Sequence, residues 1–436
     1  MKIEFQEFQG RRQKLAASMS PNTVALILSA EIQYRNHDTE HKFRQASSFW
    51  YLTGFAEPNA ALLLKKSASG ELQTNIFVQR KDPAQEVWTG IRTGAEKAKL
   101  SLGVDRAFCW DELLDELPAQ LHGVDQVYFD FGTIPHALLG RKVLEQITKQ
   151  RITKLTSSQN LIGELRLFKS ASEIALMRQS AEINVAAHKE AIAKLKANEY
   201  EYQTEARLEA YFREHGATWA YPSIVAGGRN ATILHYSTNH EELREGDLVL
   251  IDAGCEYENY ASDITRTFPI GKTFSEPQRE IYTIVLNAQK AALECLRKSS
   301  THSIRFDDFH QETLKVLTQG LIELGIINGA SLSEALERKL YHKYYMHRTG
   351  HWLGLDVHDL GSCQDDQGRS RLLESGMVLT VEPGLYFSPD DETVPSRYRG
   401  IGIRIEDDVL ITKEGVEVLT AALPKEICEL EDLRDL

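Results

Sequence analysis

Two stretches of the sequence decide the fold class of the second half of the chain: GDLVLIDAG at residues 246–254 and GMVLTVEPG at residues 376–384. They share one frame, a glycine, five residues, a carboxylate, one residue and a second glycine, and they start 130 residues apart. Each apolar run predicts a buried strand that ends at an acidic residue, Asp252 or Glu382. The shared frame predicts duplicated halves that each present one carboxylate at the end of a strand.

The sequence around these stretches predicts an α+β domain with mainly antiparallel strands. Helix-compatible runs at 201–215 and 276–298 are accompanied by glycine-punctuated apolar segments. Ser170 followed by Glu173 is a capping box, which predicts the start of a further long helix. We place the start of this domain at residue 169 and extend it to residue 436.

In residues 1–168, short apolar runs alternate with helix-compatible stretches, and this pattern predicts a separate α/β domain. The 436 residues of the chain are too many for one ordinary core, which also favours two domains. The predicted strands are 24–29, 61–65, 74–79 and 126–132, and the predicted helices are 6–18, 93–102, 111–121 and 136–149. This first domain contains no phosphate-binding glycine motif, so we expect it to shape or assemble a site elsewhere.

The composition excludes several classes of function. A net charge of −13 disfavours nucleic acid and anionic membranes as partners, because both require clustered lysine and arginine. The N-terminus has no apolar signal core, and the longest early apolar run, 24–28, is too short to cross a bilayer. The five cysteines are scattered, which predicts neither a disulfide framework nor a thiolate zinc site. We expect a cytoplasmic protein without a nucleic-acid or membrane partner.

Asp252 and Asp263 are the first candidate metal ligands. A carboxylate that follows a buried strand must be paired, protonated or bound to a cation. With a two-residue turn at Tyr257–Glu258, Asp252 would lie opposite Asp263 with Cβ atoms about 5 Å apart, and two such anions repel unless a cation lies between them. In the alternative, backbone amides satisfy Asp252 while Asp263 pairs with Arg266, and for a single aspartate that arrangement is the commoner one.

Glu382 and Glu406 are the second pair of candidates. Glu382 is followed by Pro-Gly, which predicts an extended residue and then a sharp turn. In RGIGIRIEDD (399–408), alternation places Arg404 and Glu406 on the face opposite two isoleucines. The alternative is an Arg–Glu pair on a surface strand. The two aspartates that end this segment are expected to face water.

Three histidines, His347, His351 and His358, lie in HRTGHWLGLDVHD (347–359). The segment lacks the glutamate of a zinc-binding HExxH helix, and glycines interrupt it, which predicts a loop that enters an extended stretch. A single histidine in such a loop is more often packed or hydrogen-bonded than a ligand. Three in such a short segment favour a functional site.

Together these residues form a consistent set of metal ligands. The set has four carboxylates and one imidazole: Asp252, Asp263, His351, Glu382 and Glu406. Such oxygen-rich ligands favour Mn²⁺, Mg²⁺ or Co²⁺ over a thiolate-type zinc centre. Four negative charges balance two divalent ions, which in hydrolases lie about 3.5–4 Å apart and share a bridging water or hydroxide.

Further motifs extend over nearly the whole chain: FRQASSFWYLTGFAEP (43–58), EVWTGIRTGAEKA (86–98), ILHYST (233–238), GDLVLIDAGCEYENYASDITRTFPI (246–270) and YRGIGIRIEDDVLIT (398–412). With them the sequence resembles the aminopeptidase P (Xaa-Pro aminopeptidase) family of pita-bread metallopeptidases, and closely resembles its bacterial members. The resemblance implies an α/β N-terminal creatinase-like domain and an α+β pita-bread catalytic domain with pseudo-twofold halves.

The resemblance also implies a reaction, the release of the N-terminal residue from peptides with proline at the second position. A metal-bridging hydroxide attacks the scissile carbonyl, and Glu382 is the candidate proton shuttle. By the same likeness, Asp263 and Glu406 bridge two metal ions. Asp252 completes one ion, while His351 and Glu382 complete the other. Manganese is the usual ion in this group.

Other residues acquire roles only through the resemblance. His235 and His358 match histidines that contact substrate and stabilise the developing oxyanion. His347 and Arg404 match residues that line the proline side. The remaining implied substrate-binding residues are Tyr221, Tyr386, Asp38 and Trp88, the last of which reaches a neighbouring subunit's active site. A homotetramer or dimer is therefore implied.

One departure and three alternatives remain. Arg348 stands where many relatives carry a small residue, so loop mobility or the proline-side pocket could differ. The nearest alternative function is a prolidase, which cleaves Xaa-Pro dipeptides with the same ligands. A non-catalytic pita-bread binding module and creatinase-type chemistry without metal are both disfavoured, because all five ligands are present.

Overall fold

The computed structural model describes residues 3–130, 137–150, 152–300 and 302–434. The chain divides into two compact units, an N-terminal unit that ends at Arg166 and a C-terminal unit from Leu167 to Leu436. The sequence placed the division two residues later, after residue 168. The last two residues of the predicted strand 126–132 and the first of the predicted helix 136–149 lie outside the described residues.

The N-terminal unit is built on a mixed sheet. Its strands are β1 (Thr23–Leu28), β2 (Tyr34–Asn36), β3 (Thr39–Glu40), β4 (Ala61–Lys66), β5 (Leu72–Val78), β6 (Arg106–Cys109), β7 (Gln126–Phe129) and β8 (Lys154–Thr156). The sheet order is β6-β5-β4-β1-β7-β8, while β2 and β3 form a separate hairpin. Its helices are α1 (Phe5–Ser18), α2 (Ser47–Thr53), α3 (Pro83–Thr89), α4 (Gly94–Leu102), α5 (Leu113–Leu121), α6 (Ala137–Lys149) and α7 (Gln159–Leu167).

The predicted α/β class of this unit is confirmed. Strand β1 is buried along its whole length and pairs antiparallel with β4 and parallel with β7, so it lies in the middle of the sheet. Its apolar side chains pack with those of α5 and α6. Strands β6 and β8 were not predicted, because both are short and partly exposed at the two edges of the sheet.

The C-terminal unit is α+β, and every strand pairing described in it is antiparallel. Its strands are β9 (Thr218–Trp219), β10 (Ile224–Gly227), β11 (Leu248–Ala253), β12 (Cys255–Tyr257), β13 (Tyr260–Ala261), β14 (Ile264–Pro269), β15 (Val378–Val381), β16 (Gly384–Tyr386), β17 (Gly402–Arg404), β18 (Asp407–Thr412) and β19 (Gly415–Val418). Its helices are α8 (Ala171–Lys194), α9 (Glu201–Glu214), α10 (Glu276–Arg297), α11 (Asp308–Glu323), α12 (Leu332–Glu337) and α13 (Ile427–Arg434).

Helix α8 begins with the predicted capping box. Ser170 Oγ accepts a hydrogen bond from the Glu173 backbone N–H at 3.2 Å, and the Glu173 carboxylate accepts one from the Ser170 N–H at 2.9 Å. Each side chain thus satisfies a backbone donor that the helix cannot satisfy itself. None of the helices in the described part of the chain has the length and apolar character needed to span a bilayer.

The two glycine frames adopt equivalent turns. Gly246 and Gly376 have φ of 92° and 97°, in the region that favours glycine, and each leads into a buried strand, β11 or β15. The second glycines have another role. Neither Gly254 nor Gly384 has a positive φ, and a Cβ at either would collide with a backbone carbonyl of the neighbouring strand segment. The sharp turn predicted at Gly384 is therefore wrong; the glycine permits close approach.

Candidate metal centre

Asp252 and Asp263 meet, although not in the predicted register. The turn lies at Glu258–Asn259, whose φ values are 49° and 72°, and not at Tyr257–Glu258. Asp252 on β11 consequently pairs with Thr265 on β14, and Asp263 is its diagonal neighbour. Diagonal neighbours on one face still lie close enough for their side chains to share a partner.

That shared partner is Tyr221. Its hydroxyl contacts Asp252 Oδ1 at 2.6 Å and also contacts Asp263 Oδ1. The sequence assigned Tyr221 only to the substrate pocket, whereas the structure puts its phenol between two candidate ligands. The other oxygen of Asp252 pairs with the Arg404 guanidinium. Arg404 therefore faces the carboxylates, as expected from its predicted place on the same face as Glu406.

Glu382 and Glu406 face each other from the second half of the unit. Val381 pairs with Asp407 on one side of them and Gly384 with Arg404 on the other. Both pairings have the same register. If this register is continued through the residues between the two pairs, Glu382 lies opposite Glu406. Arg404 and Glu406 are only 4% and 2% exposed, so the surface Arg–Glu pair is excluded.

A threonine ties the two halves together. Thr265 Oγ1 contacts Glu406 Oε2 at 2.7 Å and accepts a hydrogen bond from Arg404 Nε at 3.0 Å. The backbone N–H of Glu406 donates to the Thr265 carbonyl at 3.0 Å. Thr265 and Thr380, which contacts Glu382 at 3.4 Å, were both missed from the sequence. The available signal was the period of two in β14, which puts Thr265 on the face of Asp263.

The expectation that Asp407 and Asp408 face water is wrong, since they are 0% and 1% exposed. Asp407 Oδ1 pairs with the buried Arg266 at 2.7 Å, and its other oxygen pairs with Lys425 at 2.5 Å. Asp408 Oδ2 accepts the backbone N–H of Asp263 at 3.1 Å. Arg266 therefore forms its ion pair with Asp407, which excludes the alternative pairing of Asp263 with Arg266.

His351 points one ring nitrogen at the carboxylates. Its Nε2 lies 3.5 Å from Asp263 Oδ2 and 3.6 Å from Glu382 Oε1, while its Nδ1 contacts the Trp352 carbonyl at 3.0 Å. The carbonyl requires a proton on Nδ1, so Nε2 is the nitrogen available to a metal ion. As predicted, the histidine segment contains no α-helix or named strand at residues 346–363.

The donors fit a divalent metal site. Ligand atoms of Asp263, His351 and Glu406 all lie within 4.8 Å of one another. Glu382 joins them through His351, and Asp252 through Tyr221. Carboxylates that converge in a buried region repel one another unless a cation neutralises them. The oxygen-rich composition is the one that Mn²⁺ and Mg²⁺ prefer.

The pKa values of three of the carboxylates are raised, which indicates that the cluster lacks enough positive charge to stabilise them all in the ionised form. Burial, together with the charges of Asp263, Glu382 and Asp252, raises the pKa of Glu406 well above its usual range. Burial raises the pKa of Glu382 to about 7, although His351 and Arg404 oppose the shift. Burial also raises the pKa of Asp252.

Asp263 and His351 shift in the opposite directions because they form a pair. Burial acts to raise the pKa of Asp263, but the hydrogen bond and charge of His351 lower it overall. Burial acts to lower the pKa of His351, but the hydrogen bond to Asp263 and the charge of Glu382 raise it to about 9. A proton on Nε2 is thus held where the carboxylates could hold a metal ion.

Arg404, Tyr386 and His347 form a hydrogen-bonded chain beside the acidic cluster. Arg404 Nη1 donates to the Tyr386 hydroxyl at 3.0 Å, and that hydroxyl contacts His347 Nε2 at 2.9 Å. His347 Nδ1 contacts the Arg348 carbonyl at 2.8 Å. Burial and the charge of Arg404 lower the pKa of His347 to about 3. The neutral His347 ring therefore accepts a hydrogen bond from the Tyr386 hydroxyl at Nε2. It forms no ion pair with Glu382, although its Nδ1 lies 3.6 Å from Glu382 Oε2.

The other two predicted histidines lie at the edge of the cluster. The His358 ring packs edge-on against His351, with centroids 4.3 Å apart. His235 is exposed, and a positive charge at its ring would act to lower the pKa values of both His347 and His358. Arg348, the departure from the family pattern, directs its guanidinium to Asp307.

Trp88 and Asp38 lie in the N-terminal unit. Trp88 is 83% exposed on α3, and Asp38 is exposed in the turn between β2 and β3. Val87 and Ile91 beside Trp88 are 82% and 83% exposed. A run of exposed large apolar side chains is typical of an interaction surface.

Family models match a large part of each unit of this chain, and known proteins resemble it over nearly its whole length. The model of metallopeptidase family M24 matches residues 175–413, and that of the aminopeptidase P N-terminal domain matches residues 8–128. The Xaa-Pro aminopeptidases of Haemophilus influenzae and Escherichia coli are each 44% identical to it. Each alignment covers 99% of this chain and 98% of the relative.

Solved structures agree with these matches. Zinc-substituted Escherichia coli aminopeptidase P in complex with product has a TM-score of 0.92 at 43% identity, over 100% of this chain and 99% of that one. Proline aminopeptidase P II from Yersinia pestis has a TM-score of 0.93 at 43% identity, over 99% and 100% of the two chains. The two-domain fold expected from the resemblance is therefore confirmed, and this chain belongs to metallopeptidase family M24.

Proposed function

We propose that this chain is an Xaa-Pro aminopeptidase, a metal-dependent hydrolase that releases the N-terminal residue from peptides whose second residue is proline. One observation carries the proposal: Asp263, His351 and Glu406 converge, with Glu382 and Asp252 beside them, in a protein 44% identical to Xaa-Pro aminopeptidases over nearly its full length. We also assign domains at 1–168 and 169–436, which the matched ranges of the two family models support.

The residues that would hold metal are Asp252, Asp263, His351, Glu382 and Glu406. We propose two divalent ions, preferably manganese, supported by the oxygen-rich donors and their four negative charges. Asp263, His351 and Glu406 would hold the metal most directly, in keeping with ligand atoms that all lie within 4.8 Å of one another. When bound, such ions supply Lewis acidity and lower the pKa of water, which makes a nucleophile available near neutral pH.

Glu382 is the proposed group that moves the proton. Its Oε1 lies 3.6 Å from His351 Nε2, where a carboxylate can take a proton and return it to the leaving proline nitrogen. That nitrogen must gain a proton as its bond to the carbonyl carbon breaks, so cleavage requires a donor at this position. Thr380 and the backbone of Thr349 orient Glu382 through contacts at 3.4 and 2.8 Å.

His235 and His358 are proposed to contact the scissile carbonyl and to stabilise the oxyanion. His347, Arg404 and Tyr386 are proposed to line the proline side, where their hydrogen-bonded chain fixes three side chains in one arrangement. Tyr221 is proposed to orient Asp252 and Asp263, and so to act next to the substrate pocket.

The N-terminal unit is proposed to assemble the enzyme. The exposed Trp88 supports a homotetramer or dimer in which this residue reaches a neighbouring active site, with Asp38 near the substrate. We propose a cytoplasmic location on the ground that all five cysteines, each in the described part of the chain, carry free thiols.

The test is cleavage of matched peptides by the Mn²⁺-loaded protein, with and without a chelator. Xaa-Pro-Xaa tripeptides should be cleaved after the first residue, and Xaa-Ala-Xaa tripeptides should be poor substrates. Cleavage of Xaa-Pro dipeptides alone would instead identify a prolidase. Activity that survives complete metal removal, or an Asp263→Ala variant as active as the parent, would contradict the metal-dependent reaction.

A further inference from the structure

We propose that Glu201 is a positioning residue whose buried carboxylate holds the segment Gly227–Glu241 and thereby orients His235 toward the metal centre. The inference rests on the proposed role of His235 in substrate binding. Glu201 is the first residue of α9 and belongs to neither of the duplicated glycine frames.

The Glu201 carboxylate receives four hydrogen bonds from this one segment. Its Oε1 accepts from the Gly227 N–H at 2.8 Å and from Asn230 Nδ2 at 2.9 Å. Its Oε2 accepts from the Tyr236 hydroxyl at 2.7 Å and from the Glu241 N–H at 2.9 Å. The four donors lie at both ends and in the middle of the segment, so a single side chain ties four of its points together.

The burial of this carboxylate requires an explanation. Glu201 is 0% exposed, and among the described residues no lysine, arginine or histidine forms an ion pair with it. An anion removed from water at such a site is costly unless neutral donors replace the lost hydration. A carboxylate offers only acceptors, which suits four donors, whereas a glutamine amide at the same position would direct two of its own N–H groups at two of them.

The start of α9 does not require this side chain. The Glu201 backbone N–H already donates to the Glu241 carbonyl at 3.0 Å, and Tyr200 forms a β-bridge with Glu242. These backbone contacts fix the C-terminal end of the segment. The Glu201 side chain adds the hydrogen bonds from Gly227 and Asn230, which precede His235 in the chain, and from Tyr236, which follows it directly.

Tyr236 connects Glu201 to His235. Leu234 and Tyr236, the two neighbours of His235, pack against a small apolar cluster formed by Ile224, Ala226, Ala231, Leu250 and Tyr386. His235 between them is exposed. Tyr386 of this cluster accepts a hydrogen bond from Arg404, which pairs with Asp252, so the segment around His235 lies beside the metal centre. Residues 233–240 contain no helix or strand, so the contacts of Leu234 and Tyr236 contribute to the direction of His235.

The experiment compares Tyr236→Phe and Glu201→Gln in the Mn²⁺-loaded enzyme, each with and without His235→Ala. Tyr236→Phe removes only the hydroxyl, and we expect it to lower kcat/KM for an Xaa-Pro-Xaa tripeptide roughly tenfold, since small displacements of a substrate-contacting group have effects of this order. In the His235→Ala background the same change should cost less than about twofold, because the group being oriented is gone.

Tyr282→Phe is the control for the loss of a tyrosine hydroxyl. Tyr282 is 0% exposed, whereas Tyr236 is partly buried, and the Tyr282 hydroxyl donates to the Lys425 carbonyl at 2.8 Å. Tyr282→Phe should lower the melting temperature, because it leaves that carbonyl without its donor, and should leave kcat/KM within about twofold. Metal content is measured for every variant. If Glu201→Gln does not fold, Tyr236→Phe decides the question alone.

The outcomes separate the two hypotheses. Equal losses of kcat/KM from Tyr236→Phe in both backgrounds would overturn the positioning role while leaving the role of His235 intact. A His235→Ala variant as active as the parent would overturn both. Reduced metal content in Tyr236→Phe that accounts for its lost activity would also overturn the positioning role.

Discussion

Thr265→Val should weaken metal binding far more than Thr267→Val on the same strand. Thr265 and Thr267 are both 0% exposed, both project from β14 on the face of Asp263, and both bond to Arg404. Only the Thr265 hydroxyl also contacts a candidate ligand, Glu406 Oε2, at 2.7 Å. Thr267 bonds the backbone of Arg404, donating to its carbonyl at 3.0 Å and accepting from its N–H at 3.2 Å, whereas Thr265 accepts from the Arg404 side chain. The two substitutions therefore remove the same chemical group, and of the two only Thr265→Val removes a contact to a candidate ligand.

The expected magnitude follows from that contact. A hydrogen bond to a charged group contributes about 1.5–3 kcal/mol, and each 1.4 kcal/mol is about a tenfold change in an equilibrium constant. Metal binding requires the ionised carboxylate, yet burial already raises the pKa of Glu406. Removing the hydroxyl makes ionisation harder still. We expect Mn²⁺ affinity to fall roughly 10- to 100-fold in Thr265→Val and less than about threefold in Thr267→Val.

The assay is a competition between the protein and a fluorescent chelator for Mn²⁺, with melting temperatures measured on chelator-treated samples. Both variants should lose similar stability, because each leaves a buried donor of Arg404 without its hydroxyl partner. Equal losses of metal affinity in the two variants would refute the reasoning. So would a Thr265→Val affinity within threefold of the parent.

Three further predictions concern stability and metal. Gly254→Ala should lower the melting temperature by several degrees, because its Cβ would meet the Ser262 carbonyl, whereas Gly10→Ala, with nothing within 4 Å of its Cβ in α1, should raise it slightly. Burial lowers the pKa of His310 to about 4, so the neutral ring contributes stability that is complete above pH 6.5 and lost as the pH falls toward 4; in chelator, His310→Asn should flatten the melting-temperature profile over this window, and an unchanged profile would contradict the burial argument. Chelation should abolish peptide cleavage and lower the melting temperature, since a metal that binds only the folded state at 100 times its Kd stabilises it by about 2.7 kcal/mol, and Mn²⁺ should restore both.

The sequence by itself determined the buried strands β11 and β15 and the carboxylates at their ends. Periodicity and glycine punctuation are local properties, which is why β11, β15 and the α8 capping box could be predicted without a fold. The repeated glycine frame identified Asp252 and Glu382 as equivalent, and Gly246 and Gly376 do adopt the same left-handed turn.

Register was the first property that local sequence could not determine. The turn at Glu258–Asn259 differs by one residue from the predicted turn, and this shift moves the partner of Asp252 from Asp263 to Thr265. Asp252 and Asp263 still share Tyr221, because diagonal neighbours on one face remain within reach of a long side chain.

Burial of charge was decided only by the tertiary structure. In sequence, Asp407 looks like any aspartate in an acidic run, but Arg266 and Lys425 arrive from distant segments and make its burial possible. Glu201 is buried for the same kind of reason, through donors from Gly227 to Glu241. A local pattern specifies which face a side chain occupies, whereas the cost of burying its charge depends on partners that only the fold brings together.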